Sequence, residues 1–327
     1  MLVLARADVE RLLTPADAIG AVEAAFVAQA HGRATVPPRT GLSADEHGVL
    51  LVMPAALAGA GGEPGLGAKL VSVYERNRQR GQPTLHAVYV LLEATTGQPL
   101  ALLEATALTG IRTGATSALA ARFLARPEAR SVACFGAGAQ ARWQLECLAA
   151  VRRIERVEVV GRDRGRTAAF AATMAERLAV RVTPADDPRR AVREADIITC
   201  ATTSREPVVF GADLRPGAHV DLVGAFRPSD REVDTEAVRR ARVVVDTYAG
   251  ALEEAGDILI PLKEGAIARD HIAAQLSEVV TGARPGRRRD DEITLFKSVG
   301  WALEDLVAAR LAYERARRLG IGCEVGL

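Results

Sequence analysis

The sequence has few cysteines, almost no net charge and no long hydrophobic run, and each of these absences excludes a class of protein. The 327 residues include four cysteines, which lack the CxxC spacing of zinc sites and the density of disulfide-rich secreted domains. The 42 basic and 41 acidic residues leave a net charge of +1, which excludes a strong general attraction to nucleic acid or to an anionic membrane. No window contains the ~18 consecutive apolar residues that a membrane-spanning helix needs, and the apolar stretch within residues 1–6 is too short for a signal peptide. We therefore expect a cytoplasmic protein with no bound metal, no nucleic-acid partner and no membrane partner.

What is present is the composition of a globular enzyme with two domains. Hydrophobic residues make up 49% of the chain and charged residues 25%, which is enough for sizeable cores. Near the start, Thr14-Pro15-Ala16-Asp17 has the spacing of a helix N-terminus and opens an amphipathic run to about residue 31. Extended patterns follow at residues 48–54, 66–74, 85–93 and 99–104. The last two are joined by a loop that contains Gly97, so we predict an antiparallel sheet without crossover helices between its strands.

The pattern changes near Leu108, where helices and strands begin to alternate. An alanine-rich helix is predicted at residues 109–124, and strands are predicted at residues 131–135, 157–160, 196–201, 219–223 and 242–246. Alternation of this kind is typical of βαβ units and a parallel sheet. A long helix is predicted from residue 295 to about 319, packing back on the first domain, and the basic run at 287–289 is expected to be a solvated loop because three acidic residues follow it. We therefore predict an α/β protein with a doubly wound parallel sheet in residues 113–300 and a discontinuous α+β domain with an antiparallel sheet in residues 1–112 and 301–327.

A glycine-rich loop follows the strand predicted at 131–135. Residues 136–141 read GAGAQA, a GxGxxA motif between an apolar strand and a helix predicted at about 140–150. Gly136 permits a tight turn, Gly138 allows the backbone to approach a pyrophosphate, and Ala141 allows close packing of helix and sheet. The helix N-terminus would direct its amide groups at that pyrophosphate. This context favours a Rossmann dinucleotide site over an ordinary glycine turn.

The residues after the next strand bear on the choice of cofactor. Enzymes that use NAD usually place an acidic residue at that strand end, where it accepts hydrogen bonds from the ribose hydroxyls. Here Gly161 occupies the expected position and Arg162 follows, with two more arginines close by. An arginine suits the 2′-phosphate of NADP. NADP(H) is therefore favoured, and NAD(H) stays possible because a shift of one residue would make Asp163 the ribose acceptor.

Three basic residues outside the parallel sheet are candidates for binding a carboxylate. Arg39 follows a double proline, Lys69 shares a strand face with Val71 and Val73, and Arg112 lies in the alanine-rich helix. Together they could hold a carboxylate, and a buried lysine could also transfer a proton. Taken singly, each is better explained as an ordinary surface arginine, strand-end lysine or helix-surface arginine, and their spacing does not show that they converge.

At this point the motifs resemble those of the ornithine cyclodeaminase/mu-crystallin family. The resemblance covers residues 39 to 310 and is strongest in the TGIRTGATS and GAGAQ blocks. The matching residues are Lys69, Asn77, residues 81–84 (GQPT), 109–117 (TGIRTGATS), 136–140 (GAGAQ), 223–228 (VGAFRP), Glu232, Asp234, 254–257 (EAGD) and 296–300 (FKSVG).

The resemblance implies a homodimer built through the antiparallel domain, which would also contribute to substrate binding, and a Rossmann domain in each subunit. It implies a carboxylate pocket matched by Arg39, Lys69 and Arg112, with Thr84 nearby. It further implies cofactor contacts at Thr113, Gly136, Gly138, Ala139, Gln140, Arg162, Thr202 and Ser298.

Two departures from the cyclodeaminase pattern indicate the reaction. Cyclodeaminases have an aspartate where this chain has Phe226, and tend to have a glutamate just before the Met-Pro pair, where this chain has Leu51 and Val52. Both changes remove negative charge that a second ammonium group on the substrate would need. The leading hypothesis is an NAD(P)H-dependent reductase of small 2-imino acids, such as pyrroline- or piperideine-2-carboxylate, or the reverse amino-acid oxidation. Lys69 and Arg112 would be catalytic, and Phe226 would line an apolar substrate pocket.

Two alternatives remain open. One is a cyclodeaminase-type lyase that uses bound NAD and releases ammonia. The other is a crystallin-like binding protein that keeps the cofactor pocket without turnover.

Overall fold

The computed structural model describes residues 1–45, 48–59 and 64–326 and divides the chain into two compact units. One unit comprises Met1–Arg112 and Trp301–Leu327, and the other comprises Thr113–Gly300. Within the described ranges, no helix combines the length and hydropathy that crossing a bilayer requires.

The first part of the chain forms a sheet and three helices. The strands are β1 (Leu2–Leu4), β2 (Ala34–Thr35), β3 (Thr40–Asp45), β4 (Gly48–Leu57), β5 (Gly65–Tyr74), β6 (Leu85–Leu92) and β7 (Pro99–Glu104). The helices are α1 (Arg6–Leu12), α2 (Pro15–Ala30) and α3 (Ala105–Leu124). The start of α2 follows the predicted signal, because the Thr14 side chain accepts a hydrogen bond from the Asp17 amide and Pro15 occupies the first helical position.

Residues beyond α3 form the second sheet and its helices, after which the chain ends in one long helix and a short strand. The strands are β8 (Ser131–Phe135), β9 (Arg156–Val160), β10 (Arg181–Pro184), β11 (Ile197–Cys200), β12 (His219–Leu222), β13 (Arg242–Val245), β14 (Ile272–Gln275) and β15 (Thr294–Lys297). The helices are α4 (Ala139–Ala149), α5 (Arg164–Leu178), α6 (Pro188–Glu194), α7 (Thr235–Arg240), α8 (Tyr248–Glu254), α9 (Gly256–Lys263) and α10 (Leu276–Val280). The closing elements are α11 (Ala302–Leu319) and β16 (Cys323–Glu324).

The second sheet is entirely parallel, with strand order β10-β9-β8-β11-β12-β15-β13-β14. Every residue of β8, β11, β12 and β15 is buried, because the helices cover both faces of the sheet. The packing around these buried strands therefore holds their carboxyl ends in fixed positions. This arrangement confirms the predicted doubly wound α/β fold.

The first sheet has the order β16-β1-β7-β6-β5-β4-β2, with β3 also paired to β4. Strands β4 to β7 pair with one another in antiparallel fashion, as predicted. Strand β3, which the sequence pattern did not indicate, is antiparallel to β4. The short strand β1 adds a parallel pair with β7, so the sheet is mixed. The sequence pattern did not indicate β1, since three residues contain too little alternation to show a period.

Several predicted boundaries are wrong. The closing helix was predicted from residue 295, but residues 294–297 form β15 in the middle of the parallel sheet, and the helix begins at Ala302. A short apolar run fits a buried strand and a helix equally well, and only pairing with β12 and β13 decides between them. Helix α3 begins at Ala105 instead of 109, which places Arg112 about two turns inside the helix.

The basic run at 287–289 was expected to be solvated, and for Arg287 this is wrong. Its guanidinium donates to the carbonyl of Leu124 at 2.7 Å, to that of Gly217 at 3.2 Å and to the hydroxyl of Thr294 at 3.0 Å. Arg287 therefore ties together loops at the amino ends of β12 and β15, while its neighbour Arg289 pairs with Asp291 in solvent.

Candidate active site

A buried cluster of charges in the first unit contains two of the predicted cations. Lys69 lies in the middle of β5 and is 2% exposed, and its Nζ is 2.7 Å from Oδ2 of Asp305. The Nε of Arg112 is 2.9 Å from Oδ1 of the same carboxylate, and its Nη1 is 2.7 Å from Oε2 of Glu304. Asp305 thus bridges Lys69 and Arg112, and both acids come from the first turn of α11.

The local fold explains why Lys69 points inward. In β5 the residues at positions 65, 67, 69 and 71 are buried and those between them are half-buried, which is the period of a strand with one covered face. Across the sheet Lys69 pairs with Met53 on β4 and Tyr89 on β6, both buried. Its ammonium group therefore has to be stabilised by the carboxylate of Asp305 and by the hydroxyl of Thr109, which is 3.4 Å away.

Burial and neighbouring cations change the protonation of this cluster. Burial lowers the pKa of Lys69 to about 8; Asp305 opposes the change, while the charges of Arg112 and Arg39 add to it. Burial alone would raise the pKa of Asp305, but the charges of Arg112 and Lys69 outweigh burial and hold it below its ordinary value. In the same way, Asp305 and Glu304 outweigh the effect of burial and raise the pKa of Arg112.

The structure thus brings Arg39, Lys69 and Arg112 close enough to influence one another, which their spacing in the sequence did not show. Arg39 is half-buried before β3, and its charge contributes to the lowered pKa of Lys69. Thr84 is half-buried just before β6, where its carbonyl accepts a hydrogen bond from the Tyr74 amide at 2.8 Å.

Sequence reasoning missed Glu304 and Asp305. Both are fully buried on a helix whose neighbouring residues Ala302, Leu303 and Leu306 are also buried. Two adjacent acids within an apolar helical pattern were a usable signal, because burying a carboxylate without a partner is costly. Lys69, a lysine on an apolar strand face, was a partner to look for.

The second unit contains the predicted dinucleotide loop. Gly136 follows β8 with φ of 119°, a conformation that favours glycine, and a Cβ atom there would lie 2.6 Å from the carbonyl oxygen of Ala201. Gly138 is the N-cap of α4, and a Cβ atom there would meet nothing within 4 Å. Ala139 and Gln140 form the first turn of α4, and Ala141 is fully buried against the sheet.

These observations fit a dinucleotide pyrophosphate. The helix N-terminus offers backbone N–H groups and a positive dipole end, and Gly138 leaves open space in front of them. A side chain at 138 would fill that space, and one at 136 would push the loop away from Ala201.

Gly161 directly follows β9, at the position where an acid was expected in an enzyme that uses NAD. A Cβ atom there would collide with the hydroxyl of Thr167. Arg162 is exposed. Asp163, the alternative ribose acceptor, is the N-cap of α5, and its Oδ1 accepts a hydrogen bond from the Arg166 amide at 2.8 Å.

Two of the other proposed cofactor contacts are already hydrogen-bonded through their side chains within the protein. The hydroxyl of Thr202, just after β11, donates to Glu232 at 2.7 Å. The hydroxyl of Ser298, just after β15, donates to Asp246 at 2.9 Å. Thr113 lies on α3 and is 9% exposed. The hydroxyl hydrogens of Thr202 and Ser298 are therefore committed to carboxylates, and these two residues could meet a cofactor only through backbone groups or spare lone pairs.

Phe226, proposed to line the substrate pocket, is 38% exposed in the loop after β12. The guanidinium of Arg227 lies 5.7 Å from the centre of its ring. An exposed aromatic ring could bind an apolar portion of a ligand and offers no negative charge to an amine.

Comparison with known proteins identifies the family of this chain. Residues 1–319 match the ornithine cyclodeaminase/mu-crystallin family. A Delta(1)-pyrroline-2-carboxylate reductase of Bacillus cereus is 41% identical over 283 residues, 86% of each chain. The solved structure of Thermococcus litoralis Delta(1)-pyrroline-2-carboxylate reductase in complex with NADH and L-proline superposes with a TM-score of 0.96, at 43% identity over 99% of this chain and 100% of that one. An archaeal alanine dehydrogenase dimer with bound NAD gives a TM-score of 0.93 at 33% identity, over 100% of this chain and 99% of that one. The family predicted from the motifs is confirmed, and the chain belongs to the ornithine cyclodeaminase/mu-crystallin family.

Proposed function

We propose that this protein is an NAD(P)H-dependent reductase of small cyclic 2-imino acids, such as pyrroline-2-carboxylate and piperideine-2-carboxylate. The observation that carries the proposal is the buried cluster in which Asp305 joins Lys69 to Arg112. The similarity to two pyrroline-2-carboxylate reductases, one of them solved with bound L-proline, supports the choice of substrate class.

The charge of the cluster suits a substrate with one carboxylate. Lys69, Arg112 and Arg39 contribute three positive charges, and Glu304 and Asp305 contribute two negative ones, which leaves one positive charge in a largely buried place. A single substrate carboxylate neutralises that charge, and the guanidinium groups can bind it through paired hydrogen bonds. Where the cyclodeaminase pattern has an aspartate, this chain has Phe226, which offers no negative charge to a second ammonium group on a substrate. This favours the imino-acid reductase over the ornithine-type lyase.

Lys69 is the proposed proton donor. A dinucleotide held at the loop of residues 136–140 would supply the hydride that the imine carbon needs. The imine nitrogen then needs one proton to complete the amine, and the ammonium of Lys69 can release it because burial has brought its pKa to about 8. Asp305 holds Nζ in place during this transfer, and Arg112 and Arg39 hold the carboxylate. In amino-acid oxidation the same lysine would accept the proton.

For the cofactor, we propose NADP(H) in preference to NAD(H). Gly161 and exposed Arg162 at the end of β9 support this choice, as does the use of Asp163 as a helix cap. NAD(H) is the second candidate, because one of the two solved relatives contains NADH and the other contains NAD.

Replacing Arg162 by alanine should weaken NADPH binding at least about tenfold and NADH binding hardly at all, since only NADPH loses an arginine–phosphate contact. Fluorescence titration with both nucleotides measures the difference, and an equal effect on both would exclude the 2′-phosphate role.

We further propose that the protein forms a homodimer through the outer face of the first sheet. The face opposite Lys69 is apolar and incompletely covered: Leu70 on β5 stands between Val52 on β4 and Val88 on β6 in the strand register. Val88 is 38% exposed, and Leu42, at the β3 edge of the same face, is 64% exposed. A contiguous apolar face of this kind is typical of a self-association surface.

The deciding experiment follows NADPH and NADH oxidation separately with each of the two cyclic imines. Turnover that is lost in Lys69→Met and Arg112→Met supports the reductase. If both imines are inert while ornithine releases ammonia in the presence of NAD, the lyase is the correct function. If the protein binds dinucleotide but turns over none of these compounds, the crystallin-like binding role is the correct one.

A further inference from the structure

Three residues from the family motifs that the proposed reaction does not use form a second buried cluster of charges. The cluster consists of Lys297 on β15, Asp257 on α9 and Glu232 shortly before α7. All three are fully buried in the unit that contains the dinucleotide loop. Nζ of Lys297 is 2.8 Å from Oδ2 of Asp257. The other oxygen of Asp257 accepts hydrogen bonds from the amides of Glu232, at 2.7 Å, and Val233, at 3.2 Å.

The carboxylate of Glu232 binds two loops at once. Its Oε1 accepts from the amide of Thr202 at 2.8 Å and from the hydroxyl of Thr202 at 2.7 Å. Its Oε2 accepts from the amides of Gly224, at 2.7 Å, and Ala225, at 3.2 Å. Lys297 completes the arrangement by donating to the carbonyl of Ala225 at 2.5 Å. Both oxygens of Glu232 are therefore occupied by donors, as an ionised carboxylate requires.

The two loops held by Glu232 lie where a parallel sheet binds nucleotides. Thr202 follows β11 and Gly224 follows β12, at the carboxyl ends of neighbouring strands. The dinucleotide loop rests directly on the first of these loops, because a Cβ atom on Gly136 would lie 2.6 Å from the carbonyl oxygen of Ala201. A shift of Thr202 would therefore move the surface on which Gly136 lies.

We propose that Glu232 is a positioning residue for dinucleotide binding: its ionised carboxylate fixes the loops after β11 and β12, and its protonation releases them. The proposal rests on the dinucleotide site of the proposed function. It adds a control of cofactor affinity by pH that is independent of the proton transfer by Lys69.

The charges around Glu232 support titration near neutral pH. Burial raises the pKa of Glu232 to about 7, with Asp257 adding to the rise and Lys297 opposing it. The charged and titratable groups facing it are Lys297 from β15, Asp257 from α9 and the Cys200 thiol from β11, and Asp246 after β13 acts on Lys297. With two carboxylates and one ammonium the cluster has one excess negative charge, so one bound proton makes it neutral. A proton on Glu232 has to displace a donor from one of its occupied oxygens, which loosens a loop.

The test measures the dissociation constant of NADH for the whole protein between about pH 6 and pH 8. NADH is the probe because the 2′-phosphate of NADPH would itself titrate near ~6. For a group titrating at about 7, the wild-type protein should bind NADH about tenfold more weakly at the acidic end than at the alkaline end. Glu232→Gln, which cannot be ionised, should show weaker binding with no dependence on pH.

Asp196→Asn is the matched control. Asp196 immediately precedes β11, at the end opposite Thr202, and its Oδ2 accepts hydrogen bonds from the amides of Arg130 and Ser131. Its pKa is lowered to about 2 by hydrogen bonds from Arg130 and Ser131 that outweigh burial, so it stays ionised throughout the tested range. Asp196→Asn should lower the melting temperature and leave the pH dependence of NADH binding intact.

Each outcome has a distinct meaning. Wild-type binding that is tight and independent of pH, or a Glu232→Gln variant with the wild-type pH dependence, overturns the inference and leaves the proposed function standing. Failure to bind either NADH or NADPH at any pH contradicts the proposed dinucleotide site and the inference with it. If Glu232→Gln does not fold, Thr202→Val serves instead. It removes one hydrogen bond to the ionised carboxylate and should move the loss of affinity to higher pH, and an unchanged midpoint would contradict the proposal.

Discussion

Asp305 shows how one buried carboxylate can serve two cations. Each oxygen has its own partner, Lys69 on one side and Arg112 on the other. The cations were found in the sequence because a lysine on an apolar strand face and an arginine in an alanine-rich helix stand out against their neighbours. The acids were missed because the closing helix was predicted to begin at residue 295. Positions 304 and 305 were therefore not recognised as its first turn.

Replacing Asp305 by asparagine separates the charge of this residue from its size. Without the negative charge, burial and the nearby arginines lower the pKa of Lys69 below its present value of about 8. Since the proposed reaction needs the protonated lysine, reductase activity falls as pH rises through that pKa, and the variant should lose activity at a lower pH than the wild type. Removing one partner from a buried ion pair should also cost about 3 kcal/mol of unfolding free energy. The measurements are a pH profile of kcat/KM and a denaturant titration.

The control for this prediction is Glu314→Gln on the same helix. Glu314 is 48% exposed and pairs with Arg310 at the surface, so its removal should change stability by less than about 1 kcal/mol and leave the pH profile in place. An Asp305→Asn profile that coincides with that of the wild type would show that Asp305 does not set the protonation of Lys69.

At the scale of elements, most helices and strands of the second unit could be predicted from alternation and turn signals, but their order in the sheet could not. Strand β15 is the clearest case. It is the last strand in the chain to join this sheet, yet it lies between β12 and β13, with Leu295 opposite both Val220 and Val243. No local period specifies such a long-range insertion. The glycine loop after β8 was predictable, because its requirements are local and each glycine has a distinct physical role.

Two glycine substitutions in that loop should affect different properties: one should lower stability, and the other should weaken dinucleotide binding. Gly136→Ala forces an alanine to adopt a φ of 119° and places its Cβ against Ala201, so it should lose about 2–4 kcal/mol of stability. Gly138→Ala has extended backbone at φ of −121° and open space around its Cβ, so it should keep the wild-type melting temperature within a few degrees. Its methyl group would nevertheless occupy the space proposed for the pyrophosphate and weaken dinucleotide binding at least about tenfold.

Thermal unfolding and nucleotide titration distinguish these effects, with Gly165→Ala as the control. Gly165 lies in the first turn of α5, where a Cβ atom would make an ordinary contact of 3.5 Å with Asp163. That variant should change neither property by more than the small gain in helix propensity. Equal losses of stability in Gly136→Ala and Gly138→Ala would show that the second glycine is structural, and its proposed role at the pyrophosphate would fall.

For the molecule as a whole, a net charge of +1 leaves no strong repulsion to oppose association of two copies. The surface proposed for that association is built on the strand that contains Lys69, since the inward face of β5 carries the proposed catalytic lysine and the outward face carries Leu70. Sequence patterning predicted the antiparallel strands of this sheet. It could not show which of its two faces stays uncovered within one chain, because β5 contains apolar residues on both.

Leu70→Asp tests this surface at its centre. Two copies related by a twofold axis would each bury the new carboxylate without a partner, at a cost of several kcal/mol. The dissociation constant of the dimer should therefore rise at least about a hundredfold, which light scattering during gel filtration detects as a change from dimer to monomer at micromolar concentration. Leu319→Asp is the control, because Leu319 is 59% exposed at the end of α11 and outside the proposed surface, so it should remain dimeric. A wild-type protein that elutes as a monomer, or a Leu70→Asp variant that stays dimeric with the wild-type melting temperature, would show that this face is not the interface.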